Sequence, residues 1–262
     1  TQPLPGLLLE VLRNPVLLRL NLGIFALHLV LTATFLALPV LLESRIDLPR
    51  TSHWWVYLSV TAVAFVLMVP FIVIGEKYRK MKPVFLGAIA LLGLSALTLW
   101  QVPDTLLSMW GALLLFFMAF NLLEASLPSL VSKACPPGSR GSAMGVYSTA
   151  QFLGAFVGGA LGGKVLGAAG PDGVLLFMAG VVALWWLVAL QMPAPSHATS
   201  FVVKLAAHLQ VSGEDIARVL SSVRGVEDVV VLPDEGAAYL KVDRAHLDEA
   251  ALRACPYLVM DA

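Results

Sequence analysis

Charge is scarce in this sequence: Asp, Glu, Lys and Arg together make up 13% of the chain, about half the share usual in a soluble domain. Cysteine is scarcer still. The two present, Cys135 and Cys255, are far apart and in no CxxC pair, which excludes a disulfide framework and a thiolate metal site. A Gly-rich phosphate loop, a nucleophile motif and metal-ligand spacing are all missing, so no catalytic residue, metal or cofactor is expected, and no enzyme. Nothing suggests a nucleic-acid partner. The first residue is Thr1 rather than Met, no signal-peptide pattern follows it, and the start reads as truncated.

What the chain has in quantity is apolar sequence: 58% hydrophobic residues and a mean hydropathy of +0.84. Six runs are long enough to cross a bilayer. They lie at about 16–42, 54–74, 84–100, 106–132, 142–166 and 174–191. Trp54 and Trp55 open the second run, where an interfacial belt places aromatics. Lys and Arg fall mainly on one side of these runs. Arg13, Arg19, Lys133, Arg140 and the loop residues Lys77, Arg79, Lys80 and Lys82 mark that side as cytoplasmic by the positive-inside rule. Both chain ends then lie in the cytoplasm, and the protein is a multi-pass protein of the inner (plasma) membrane.

Composition changes after residue 200. Up to Ser200 the chain has eleven Lys and Arg against seven Asp and Glu, a net of +4; from Phe201 it has six against ten, a net of −4. Residues 1–191 therefore read as a six-span transmembrane bundle, 192–200 as a Pro- and Ser-bearing linker, and 201–262 as a small soluble domain. In that domain, 201–205, 226–232, 237–242 and 257–260 read as strands. Segments 213–223 and 245–254 read as helices, with Ile216, Val219, Leu220 and Val223 on one face of the first. The order βαββαβ is ferredoxin-like, an α+β fold, which does not by itself name a ligand. Its outline is similar to heavy-metal-associated domains, yet Ala206, Ala207, His208 and Leu209 stand where those domains carry metal-binding thiols.

Within the fifth run, Gly154, Gly158 and Gly162 recur every fourth residue and form one smooth strip on a helix, with Gly159 and Gly163 expected to widen it and Gly145 preceding it. Small-xxx-small faces are where helices in lipid pack closely. Packing is the plain use of such a strip, and a sliding or rocking contact in a transporter is the sharper one.

Polar residues inside spans narrow the search further, because insertion scales put a charge at mid-bilayer at about 2.5–3.5 kcal/mol. Glu124 is the acidic residue deepest in a span, and Asn121 lies one turn before it on the same face. Asn21 and His28 share a face of the first span, and Tyr147 and Gln151 are one turn apart on the fifth. These six are the expected substrate or proton pathway. Glu124 would bind a proton or a cationic substrate, and histidine is a common proton carrier.

These features together resemble the C-terminal half, helices seven to twelve, of a major facilitator superfamily transporter. The match rests on the six spans, on Asn121-Leu-Leu-Glu-Ala-Ser-Leu-Pro-Ser-Leu-Val-Ser-Lys133 and on Gly141-Ser-Ala-Met-Gly-Val-Tyr-Ser-Thr-Ala-Gln-Phe-Leu-Gly154. The ferredoxin-like domain after the last span is similar to that of the YajR-type subfamily of proposed drug exporters. Gly145, Gly154, Gly158 and Gly162-Gly163 follow the spacing of the family's antiporter motif, with Gly159 in place of its proline. Gly75-Glu-Lys-Tyr-Arg-Lys-Met-Lys82 is a shortened copy of its basic loop motif. The resemblance implies a proton-coupled exporter of small organic molecules working by alternating access, with the first and fourth spans lining the cavity. It also implies a missing N-terminal six-helix half, since that path lies between two bundles. Two other readings remain open: a membrane-anchored sensor or adaptor acting through the C-terminal domain, and a homodimeric six-span carrier.

Overall fold

A computed structural model describes residues 9, 11–101, 103–136, 139–194, 199–206, 212–232, 236–243 and 246–259. Five of its helices are long and apolar enough to cross a membrane. They are α1 (Pro15–Ile46), α2 (His53–Lys77, preceded by a short 3-10 turn at Arg50–Ser52), α3 (Met81–Gln101), α4 (Leu106–Ala134) and the 51-residue Arg140–Leu190. The last is two helices in one, because Gly170 leaves helical geometry at φ 68° and ψ −173°. At 1.5 Å per residue, α5 (140–169) and α6 (171–190) each cover the roughly 30 Å of a hydrocarbon core. Six segments therefore have spanning length.

The break at Gly170 has a local cause. Glycine alone adopts a positive φ without cost, Pro171 takes the first position of α6, where its missing N–H is not needed, and Asp172 adds a negative charge to that first turn. Arg45, in the last turn of α1, donates to Asp172 and, at 2.8 Å, to the carbonyl of Leu99 near the end of α3. One guanidinium thus ties three helix ends together.

The spans run a few residues beyond the expected limits, mostly into their polar flanks. The basic loop shrinks as a result: α2 continues through Lys77 and α3 starts at Met81, leaving a turn of three residues. Arg79 holds that turn at φ 57°. Lys80 lies beside it, and Lys82 sits in the first turn of α3. Lys77 ends α2, where a cation suits the helix dipole.

The chain divides into two compact units. Pro15–Val131 with Gly145–Ala194 is the helical bundle; the second unit gathers Ser132–Met144 with the C-terminal part of the chain. In the second unit β1 (Thr199–Leu205), α7 (Gly213–Ser221), β2 (Val226–Leu232), β3 (Ala237–Val242), α8 (Glu249–Arg253) and β4 (Leu258–Val259) form an antiparallel sheet in the order β2-β3-β1-β4. This is the ferredoxin-like arrangement. β1 begins at Thr199, inside the expected linker. The second helix is shorter than expected because Asp248 caps it, accepting from Ala251 N at 2.9 Å.

Val203, Ile216, Leu220, Ala238, Leu240, Val242, Leu252 and Cys255 make this unit's core. Val219 is 39% exposed, so the buried stripe of α7 is narrower than the sequence suggests. Lys241 on β3 donates at 2.9 Å to the carbonyl of Lys133, a last-turn carbonyl of the kind basic side chains satisfy. His208, Ala207 and Leu209, the turn at 233–235 and linker residues 195–198 lie outside the described residues.

Gly225 is the backbone position this small fold depends on most. It sits at φ 89°, and a Cβ there would fall 2.5 Å from Leu247 Cα and 2.7 Å from the carbonyl carbon of His246. Gly225→Ala is expected to destabilise the unit by about 2 kcal/mol or more, from the strained φ and the clash together. Limited proteolysis of the full chain would show faster cleavage within 199–259 and unchanged cleavage in the bundle.

Candidate functional site

The site is built on the contact between α1 and α5. A Cβ added at Gly154 would land on the carbonyl of Phe25, and one at Gly158 on the carbonyl of Leu29. One at Gly162 would come within 3.1 Å of Ala33 Cβ. Three glycines at a spacing of four therefore meet three residues at a spacing of four, and the two backbones touch along about two turns. Gly159 stands at the margin, with Thr32 Cγ2 3.6 Å from a hypothetical Cβ. Gly145 and Gly163 have nothing within 4 Å, which corrects their expected place in the strip. The reason is angular: at about 100° per residue, Gly163 is well off the line and Gly145, nine residues before Gly154, is on the opposite side.

Because His28 lies between Phe25 and Leu29, and Gln151 one turn before Gly154, the same contact presses these two side chains together. Gln151 Nε2 is 2.8 Å from His28 Nε2 and donates to Glu124 Oε1, on α4, at 3.3 Å. His28 Nε2 is 3.9 Å from Glu124 Oε2. The imidazole's other nitrogen, Nδ1, lies 3.3 Å from the Ile24 carbonyl one turn back, and the ring meets Phe120 edge-on with centroids 6.0 Å apart. Three helices thus converge on one amide, one imidazole and one carboxylate.

The other expected residues, on the same helices, make no hydrogen bond to this triad. Asn21, two turns before His28, is buried with both side-chain polar atoms unpartnered. Asn121 Nδ2, Tyr147 Oη and Glu124 Oε2 are likewise buried without a hydrogen-bond partner. Buried polar atoms in this state are costly, and the cost falls when a ligand, a proton or a water meets them. The side chain of His28 is 13% exposed and that of Glu124 37%, so the triad is not sealed within the bundle.

Two participants were not visible in the sequence. Phe120 supplies a ring edge to His28, and the Ile24 carbonyl fixes the imidazole's orientation; backbone acceptors leave no residue-type signal. Among the described residues no three His, Cys, Asp or Glu side chains gather as a metal site would require.

A family model described as Major Facilitator Superfamily matches residues 1–159. The chain belongs to that superfamily. It is 41% identical over 234 residues to the inner membrane transport protein YajR of Escherichia coli strain K12, covering 89% of this chain and 51% of that protein. The multidrug resistance protein MdtH of Aeromonas salmonicida is 26% identical over 185 residues, 68% of this chain and 46% of MdtH. An uncharacterized transporter of Buchnera aphidicola subsp. Acyrthosiphon pisum (strain APS) is 32% identical over 150 residues, 57% of this chain and 38% of its own length. The chain spans about half the length of the curated relatives it matches. It is a multi-pass major facilitator chain carrying a ferredoxin-like unit, and the superfamily is one of transporters, not of enzymes.

The glycine contact can be tested by stability alone. Gly154→Val and Gly158→Val force carbon onto a backbone carbonyl that cannot rotate away, and each is expected to cost about 1–3 kcal/mol or more. Gly145→Ala and Gly163→Ala enter open space and are expected to stay within about 0.5 kcal/mol. Thermal unfolding in detergent, read by tryptophan fluorescence, separates the two pairs.

Proposed function

We propose that this chain is the C-terminal half of a proton-coupled exporter of small organic molecules, which moves its substrate by alternating access between two six-helix bundles. The observation that carries this reading is the meeting of His28, Gln151 and Glu124 at 2.8 and 3.3 Å inside apolar spans. Intramembrane ionisable groups are expensive and mark ion or substrate pathways. Family membership and the half-length match to full transporters support the missing N-terminal half as the partner. The name of MdtH, a multidrug resistance protein, supports drug-like substrates and outward transport.

In this reading Glu124 and His28 hold and release protons, and Gln151 bridges them. Asn21, Asn121 and Tyr147 supply unpartnered donors and acceptors for substrate. The glycine contact lets α5 move against α1 without side chains interlocking. Both chain ends face the cytoplasm of an inner-membrane protein, following the bias of Lys and Arg.

Substrate-dependent proton flux in liposomes tests the proposal with three samples: this chain, the full transporter containing it, and the full transporter carrying Glu124→Gln. Flux is expected only with the N-terminal half present, and Glu124→Gln is expected to lower it to below about a tenth. Flux from this chain alone would favour a homodimeric six-span carrier. Undiminished flux in Glu124→Gln would remove Glu124 from the coupling path.

A further inference from the structure

Seven residues beyond His28 on α1 stands Phe35, and seven residues before Glu124 on α4 stands Phe117. That spacing returns to the same face of a helix after two turns, about 10 Å along its axis. The two helices run in opposite directions, because Arg45 in the last turn of α1 lies 3.9 Å from Asp104, just before the start of α4. Both offsets therefore point to the end of the bundle where α1 leads into α2. There the rings of Phe35 and Phe117 meet edge-on, with centroids 6.3 Å apart.

Tyr57 of α2 completes the group. Its ring stands edge-on to Phe35 at 5.8 Å and to His53 at 6.1 Å. Two contacts fix this part of α2: His53 Nε2 is 2.9 Å from the Leu48 carbonyl, and Trp110 Nε1 of α4 donates at 2.9 Å to Ser59 Oγ, two residues after Tyr57. Phe116 stands edge-on to Phe117 at 5.3 Å and stacks on Phe120 at 6.3 Å, and Phe120 meets His28. An unbroken line of rings thus runs from the polar triad to Tyr57. Phe116 and Phe117 are buried and back the line, whereas Phe35 stays 44% exposed in spite of its two ring contacts.

The two ends of this line offer different chemistry. An aromatic ring placed against Phe35 and Tyr57 gains edge-on or offset contact beyond its apolar area. At the other end the acid is Glu124, whose Oε2 lacks a hydrogen-bond partner, and an ionised carboxylate takes an ammonium as both donor and counter-charge. Residues 28–35, 53–59 and 110–124 contain no Lys or Arg, so these stretches hold no fixed positive charge for an anionic substrate.

We infer that Phe35, Tyr57 and Phe117 form an aromatic subsite that selects substrates by length, taking an aryl group carried about 10 Å from a basic amine that sits at Glu124. This rests on the reading of Glu124 as part of the substrate path. A shorter molecule reaches one end only, and a longer one must fold its spacer. At the bond lengths of an extended carbon chain, about six methylenes bridge the two ends.

The test is equilibrium dialysis of phenylalkylamines with two, four, six or eight methylenes against the full transporter in lipid nanodiscs, with protein-free nanodiscs as the blank. Partitioning into lipid grows with every methylene but is the same for wild type and variant, so the readout is the ratio of their affinities at each length. Phe35→Leu keeps apolar bulk and removes the ring. Its loss of affinity is expected to peak at six methylenes, at about fivefold, and to stay below about twofold at two, where the amine holds the compound at Glu124 out of reach of Phe35. Tyr57→Leu is expected to give the same profile, and Glu124→Gln to weaken all four compounds.

A loss in Phe35→Leu and Tyr57→Leu that does not vary with length, or no loss, would overturn the inference and leave the Glu124 path standing; the open face of Phe35 would then belong to the contact with the N-terminal half. Unchanged binding in Glu124→Gln would remove the polar end, and the substrate path would fail together with the inference. The wild type alone gives a further check. Its gain from four to six methylenes, in excess of the blank, is expected to be about fivefold and absent from six to eight. A gain that only follows the blank, or binding of none of the four, would overturn the inference as well.

Discussion

Everything distinctive about the bundle follows from how closely α1 and α5 approach. Side chains normally hold two helix axes 8–10 Å apart; here Gly154 and Gly158 leave no room for a single added carbon between one helix and the backbone of the other. That proximity brings Gln151 to His28 at 2.8 Å, and α4 then completes the group by presenting Glu124. In water this glycine load would weaken a helix by about 1 kcal/mol per residue. In lipid it gives packing that no larger residue can match, and in the proposed transport cycle it is the surface along which the two helices would shift.

The polar groups follow a division of labour set by what surrounds them. Arg45 is tied to Asp172 and to the Leu99 carbonyl at helix ends, where it fastens the bundle. Within the spans the opposite holds: Asn21, Asn121, Glu124 and Tyr147 all keep buried atoms without a hydrogen-bond partner. A protein that only needed a stable bundle would gain by replacing them with apolar side chains. Their presence is what motivates the proposed pathway through these spans.

Much of this was legible in sequence, and the failures have identifiable causes. Six apolar runs, the βαββαβ order and the residues Glu124, His28 and Gln151 could be read because burial in lipid leaves a strong compositional trace and isolated polar residues stand out against it. Their meeting could not, because they lie on α1, α4 and α5, and one chain carries no record of which helices touch. The glycine strip was read too wide at Gly163, since proximity in sequence was taken for proximity on the helix face, and Gly145, grouped with the packing glycines by the motif spacing, makes no such contact. The basic loop was read too long because Lys77 and Lys82 are good helix formers that extend α2 and α3 into it. The linker end was misplaced because Thr199 and Ser200 look like loop residues until they pair with Val242 and Lys241 across the sheet.

The most direct test of the arrangement is to observe the α1–α5 contact itself in a bilayer. Solid-state NMR on carbon-13-labelled protein should give through-space cross-peaks between Gly154 Cα and the Phe25 backbone, and between Gly158 Cα and the Leu29 backbone, with none to α1 from Gly145 or Gly163. Cross-peaks from Gly154 and Gly158 to a helix other than α1, or none at all, would contradict the contact on which the triad and its proposed chemistry depend.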